Sequence, residues 1–144
     1  MYVDKTGMIA RYGETKLVQL TDRAFPKAGA IVDQVLDQAL ADAAAVIHGY
    51  ARSAGYAVPF SATAPPDGVA GWQACIALYG LYQGEAPDKV AEDYKTTLGQ
   101  LRDLAAGRFT LQAAGIAAPA PAEGAAVLFS ASDRVMTAKG LKDF

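Results

Sequence analysis

The stretch DQVLDQALADAAAVIHGYARS, residues 33–53, decides the fold class. Its apolar positions Val35, Leu36, Ala39, Leu40, Ala43, Ile47, Tyr50 and Ala51 recur at intervals of three and four. That spacing is one face of a 3.6-residue period and not the strict alternation of a strand. Asp37, Gln38 and Asp42 fall on the opposite side, toward solvent. Asp33 suits an N-cap, because a carboxylate there can accept bonds from the unpaired amides of a first turn. Gly55 suits the stop.

Working outward, a second long helix is expected over residues 67–83. Val69, Trp72, Ile76 and Tyr79 lie on one side of it, and Cys75, Leu78 and Tyr82 on the adjoining side. A helix apolar nearly all round is central in a core or touches a second surface. Trp72, Tyr79 and Tyr82 are therefore candidate subunit or partner contacts, although aromatics at this spacing also suit core packing. Pro87 opens a third long helix, to about Ala106, since proline at a first helical position forfeits no bond. Val90, Tyr94, Leu98, Leu101, Leu104 and Ala105 line one face of it. Its acids come early and its cations late, as the helix dipole favours. Gly107 is the stop, and Arg108 to Leu111 is a short extended segment. Upstream, residues 4–12 and 14–22 make two short helices separated by Gly13. Residues 25–29 form a loop, and residues 54–67 form a loop or extended arm broken by Pro59, Pro65 and Pro66.

Composition agrees. The 144 residues include 31 alanines, with 14 Gly and 7 Pro clustered between the alanine-rich blocks. Alanine is the strongest helix former, and a sandwich or barrel would need many β-branched strands. With 52% hydrophobic and 19% charged residues, the chain is not wholly disordered. The expected fold is all-α: a small bundle of three longer helices and two short N-terminal ones over residues 1–111. The segment QAAGIAAPAPAEG, residues 112–124, reads as an extended Ala/Pro-rich linker. Residues 125–144 then restore apolar points at Val127, Leu128, Phe129, Val135, Met136, Leu141 and Phe144. They read as a C-terminal assembly arm, with Val127, Phe129, Val135, Met136, Leu141 and Phe144 as its interface anchors.

Motifs for chemistry are missing. A net charge of −2 argues against nucleic-acid binding by charge. One cysteine, Cys75, allows no intramolecular disulfide and no Cys-rich zinc site. Among Ala74, Ile76 and Ala77 it reads as a small packing residue. His48, the one histidine, lies inside the strongest helix, six residues from Asp42 and off its face; it reads as a surface or boundary residue. No Gly-x-Ser-x-Gly elbow, Gly-x-Gly-x-x-Gly turn or phosphate loop is present. Glu92 and Asp93 are adjacent on a helix and diverge. The reading is of a non-enzyme with no catalytic, metal or cofactor residues. The two short helices superficially fit a helix-turn-helix, so a small DNA-binding regulator is the alternative. Yet the second helix offers only Lys16 and Gln19 beside Glu14 and Asp22, too little for base reading. The longest uncharged stretch, Gly68 to Gly84, is shorter than the ~20 residues a membrane span needs, and no signal peptide is apparent. A soluble protein made in the cytoplasm is expected.

Several segments resemble a small protein family of Mu-like phages and prophages. Met8-Ile9-Ala10-Arg11-Tyr12-Gly13 and Leu17-Val18-Gln19-Leu20-Thr21-Asp22 are similar to its opening motifs. Residues 35–43, Ile47-His48-Gly49-Tyr50 and the ending from Arg134 to Phe144 also match. Met136 stands where the family often has Phe, and Asp143 where it often has Gly. The resemblance implies a neck component of the virion, a head–tail connector of the adaptor type in a long-tailed phage. Such subunits form a ring, usually of twelve copies, under the portal protein. The implied partners are further copies of the chain, the portal, a tail-proximal neck or tail-terminator protein, and passing DNA held without sequence-specific contact. No membrane is implied, and no catalytic residues carry over.

Overall fold

Each helix begins and ends where the local sequence offers the backbone another partner. The computed structural model describes residues 1–112 and residue 116. Over these the chain forms α1 (Lys5–Tyr12), α2 (Glu14–Thr21), α3 (Asp33–Ser53), α4 (Val69–Leu81) and α5 (Asp88–Ala105). Among the described residues there is no strand. The expected all-α bundle of three long and two short helices is what the structure shows. The assembly arm and most of the Ala/Pro-rich linker lie outside the described residues.

The Asp4 carboxylate caps α1, accepting from the Gly7 amide at 2.8 Å. Gly13, at φ 85°, closes it with a bond from its N–H to Ile9 O. The longest helices share one termination device. Gly55 (φ 87°) donates to Arg52 O while Tyr56 donates to Ala51 O. Gly107 (φ 72°) donates to Leu104 O while Arg108 donates to Asp103 O. These paired bonds are the Schellman motif, which needs a left-handed residue and so selects glycine.

Asp33 departs from its expected role. Val32 occupies the cap position of α3 and Asp33 is the first helical residue. Its carboxylate, still favoured there by the helix dipole, takes the Lys5 ammonium at 2.7 Å and so links α1 to α3. Pro87 likewise sits at the cap of α5 and not inside it. α4 is shorter than the apolar pattern suggests. Gly68 turns left-handed before it and Tyr82 is extended after it.

α3 packs along α4, and both pack on α5. Leu36, Leu40, Ile47, Leu81, Leu101 and Leu104 are fully buried at this junction. Each such side chain contributes about 1.5–3 kcal/mol by leaving water. The connections join the core too. Tyr56, Phe60 and Pro66 from the 54–67 segment are buried. After α5 the chain folds back, so that Leu111 is buried and its N–H donates to the Tyr56 hydroxyl at 2.9 Å. Ile116 packs partly against the same core.

The largest polar residue fully enclosed by this apolar mass is Gln73. Gln73, on α4, accepts the Tyr2 and Val3 amides on Oε1 at 2.8 and 2.9 Å. Its Nε2 donates to Leu40 O of α3 at 2.8 Å. Gln73→Met keeps the volume but strands two buried amides, at about 1–3 kcal/mol for each group left unpaired. Urea denaturation is expected to show a loss of about 2–6 kcal/mol; a loss below ~1 kcal/mol would show that the clamp is dispensable.

Candidate assembly groove

The apolar stripe of α3 is wider than the core requires. Leu36, Leu40, Ala43 and Ile47 are buried, whereas Val35, Ala39 and Val46 stand half-buried on its flank. On α4, Ile76 and Leu81 are buried while Tyr79 and Gly80 face outward. With Tyr94 of α5 these residues line an open groove of about 470 Å³. The Tyr79 and Tyr94 rings lie parallel at 4.0 Å and form one wall. Gly80 leaves room in the groove, because a Cβ there would meet nothing within 4 Å.

Two charged residues line it. Arg23 is occupied, with Nε on Leu20 O at 3.0 Å and Nη2 on Leu81 O at 2.6 Å. Asp42 accepts only the Gln38 amide, at 2.8 Å, and has no cationic partner among the described residues. The chemistry is an apolar floor with one unpaired carboxylate at its rim.

The three aromatic candidates of α4 part company. Only Tyr79 opens on the groove. Trp72 is buried; its Nε1 donates to Gln100 Oε1 at 2.7 Å and its ring meets Phe109 edge-on at 6.2 Å. Tyr82 is half-buried on a separate surface with Tyr12, Glu14, Lys16, Gln19, Leu20 and Pro87. Val127, Phe129, Val135, Met136, Leu141 and Phe144 lie outside the described residues. Sequence patterning missed Phe25. It is 98% exposed, on a loop whose base is held by Gly29 N–H on Asp22 Oδ2 and Val32 N–H on Thr21 Oγ1. Nothing in a helical period marks such a residue.

His48 is placed at the boundary of the core. Its Nε2 lies 2.6 Å from the Tyr2 hydroxyl, which also accepts the Phe60 amide at 3.0 Å. The neutral imidazole and the phenol share this one hydrogen bond, whose donor is set by the imidazole tautomer. Burial, then the charge of Arg52, hold His48 below its ordinary pKa. Burial raises Tyr2, opposed by the Phe60 hydrogen bond. Cys75 is half-buried, and burial pushes its thiol up, so it stays protonated at neutral pH. Among the described residues no three His, Cys, Asp or Glu side chains converge to hold a metal. No described helix is long and apolar enough to cross a membrane.

Fold and groove together define an all-α bundle with an open apolar groove. The family model described as bacteriophage Mu, Gp36 matches residues 2–129, and the chain belongs to that family. No curated protein matches it. The Mu-like phage family that the opening motifs resemble is thus the family of this chain, while the ending from Arg134 lies beyond the matched residues.

The lowered His48 pKa sets a pH dependence. Below the unfolded-state value of about 6.5 the unfolded chain binds the proton first, so stability falls between there and the lower folded-state pKa. Melting temperatures of wild type and His48→Ala, taken from about pH 7.5 to about pH 5.5, are expected to differ in slope, wild type losing more. Parallel curves would contradict the assignment of a half-buried imidazole held neutral by its surroundings. Trp72→Ala should cost about 3–5 kcal/mol, the usual loss for a large core aromatic; an unchanged melting temperature would show that the ring contributes nothing to this domain.

Proposed function

We propose that the chain is a structural virion protein, a head–tail connector subunit of the adaptor type. It forms a ring, of twelve copies by analogy with such connectors, between portal and tail of a long-tailed phage. The portal contacts one side of the ring, and a tail-proximal neck or tail-terminator protein the other. The protein acts in the virion neck after synthesis in the host cytoplasm, without catalysis or a cofactor. Membership of a phage Mu family supports this reading. The observation that carries it is the groove: an apolar, open surface on a domain whose core is otherwise closed. A subunit that gains stability from its neighbours needs such a surface. The near-neutral charge also suits a channel wall, along which DNA slides without adhering.

The helix-turn-helix alternative finds little support in α2. Leu17 and Thr21 are buried, Lys16 is half-exposed, and the outer positions are Glu14, Thr15 and Gln19. Negative-stain microscopy of the purified protein and of virions is expected to show rings, and the protein to bind DNA weakly and without sequence preference. A protein that stays monomeric at every concentration and binds duplex DNA with a steep salt dependence would overturn the connector reading in favour of the regulator. His48→Ala is expected to leave ring assembly intact, since that side chain turns to Tyr2 and not outward. Folded His48→Ala protein that fails to assemble would reassign His48 to an interface.

A further inference from the structure

We infer that the groove between α3, α4 and α5 of one copy receives residues 127–144 of a neighbouring copy. The inference deepens the ring reading, on which it rests for the presence of a neighbour. Three observations carry it.

The first is the length of chain beyond the described core and the place where it leaves. The Leu111 amide is held at Tyr56, past the C-terminal end of α3, and Ile116 packs on the core. The groove lies toward the other end, along Gln34–Val46 of α3 and Ile76–Leu81 of α4. α3 has 21 residues, which at 1.5 Å per residue is about 31 Å. Residues 117–126 contain no large apolar side chain, and fully extended they span at most roughly 33–36 Å. Val46, at the near end of the groove, is seven residues or about 10 Å before the end of α3, so the tether can enter the groove of its own copy or, as the ring reading requires, that of a neighbour standing alongside.

The second is chemical fit. Beyond residue 126 come Val127, Leu128, Phe129, Val135, Met136, Leu141 and Phe144. The groove offers Val35, Ala39, Val46 and Ile76 as floor and the stacked Tyr79–Tyr94 pair as wall. Apolar anchors in a preformed apolar groove supply the affinity.

The third is charge. Within residues 127–144 the side chains Arg134, Lys139 and Lys142 stand against Asp133 and Asp143, a net excess of one cation. The groove holds the unpaired Asp42, while its one cation, Arg23, is bound to backbone carbonyls. A net-cationic segment is therefore accepted and an acidic one is not. Such charges set register and partner choice more than affinity. In a closed ring every arm is engaged at once, so individually weak contacts add by avidity.

The test uses the full chain with a photo-cross-linking benzophenone amino acid in place of Phe144, mixed as light and heavy-isotope copies. Irradiation is expected to join the C-terminal peptide to groove peptides of α3 or α4 in mixed-isotope pairs. Gly80→Arg should cut that yield roughly tenfold, because the new side chain fills the groove and repels the arm's cations. Gly80→Ala should leave the yield unchanged, since a Cβ there meets nothing. Ala39→Arg, on the α3 flank, repeats the block should Gly80→Arg fail to fold by circular dichroism. Native mass spectrometry of the same samples reports assembly separately. Rings with cross-links outside the groove, or with cross-links that survive both arginine variants, overturn the docking and leave the ring. Same-isotope pairs alone, meaning an arm on its own chain, overturn the exchange between copies. A sample with neither rings nor mixed-isotope pairs overturns both.

Discussion

The Gln73 side chain, enclosed on all sides, holds the Tyr2 and Val3 amides on its oxygen and the Leu40 carbonyl on its nitrogen. A buried primary amide is tolerable only when its donors and acceptors are matched, and this one is matched by segments far apart in sequence. The rest of the structure follows from that register. With Val3 fixed on α4, Tyr2 is set between His48 and Phe60, and its hydroxyl receives the Phe60 amide. The 54–67 segment is thereby drawn onto the bundle. α1 then starts at a defined point, placing Met8 in the core and Lys5 against Asp33. Moving α4 along α3 by one turn would unpair all three bonds at once, so the clamp favours one packing among the several that an alanine-rich interface would otherwise allow.

Much of this was legible in the sequence because it is periodic or punctuated. The threefold and fourfold recurrence from Val35 to Ala51 marks α3, and Gly13, Gly55 and Gly107 fall where helices stop. The clamp was not legible. A glutamine within an apolar helix carries no pattern that separates a core amide from a solvent-facing one; only the approach of Tyr2 from 71 residues away decides it. Asp33 shows the same limit in miniature. An acid at a helix start satisfies the cap rule and the dipole rule alike, and the choice was made by Lys5 arriving from another helix. Tyr56 and Phe60 lie in a segment with the turn chemistry of a loop and Leu111 in a short extended one, yet they complete the core by contacts that local sequence does not encode. The groove was half-visible. Val35 and Ala39 belong to the α3 stripe, but which flank stays open depends on where α4 and α5 come to rest.

The same packing accounts for what is left at the surface. α4 is apolar nearly all round, so closing the core on α3 and α5 consumes Trp72, Ile76 and Leu81 and leaves Tyr79 and Gly80 uncovered. Tyr94 stacks on Tyr79 and shields one side of it; the other side remains toward the groove. A small domain that closed its core completely would offer neighbours only scattered exposed residues. This one keeps a shaped apolar channel beside a rigid bundle, a combination suited to the connector role proposed for it.

The dependence on Gln73 is most directly measured by amide hydrogen exchange of the native protein, resolved at Tyr2 and Val3. Amides this close to an end of the chain ordinarily exchange without structural protection. Held by a buried oxygen, they should exchange only through global unfolding, with protection matching that of α3 core amides such as Leu40. Exchange at the rate of an open terminus, while α3 and α4 remain protected, would show that the bundle stands without the clamp and would contradict the account.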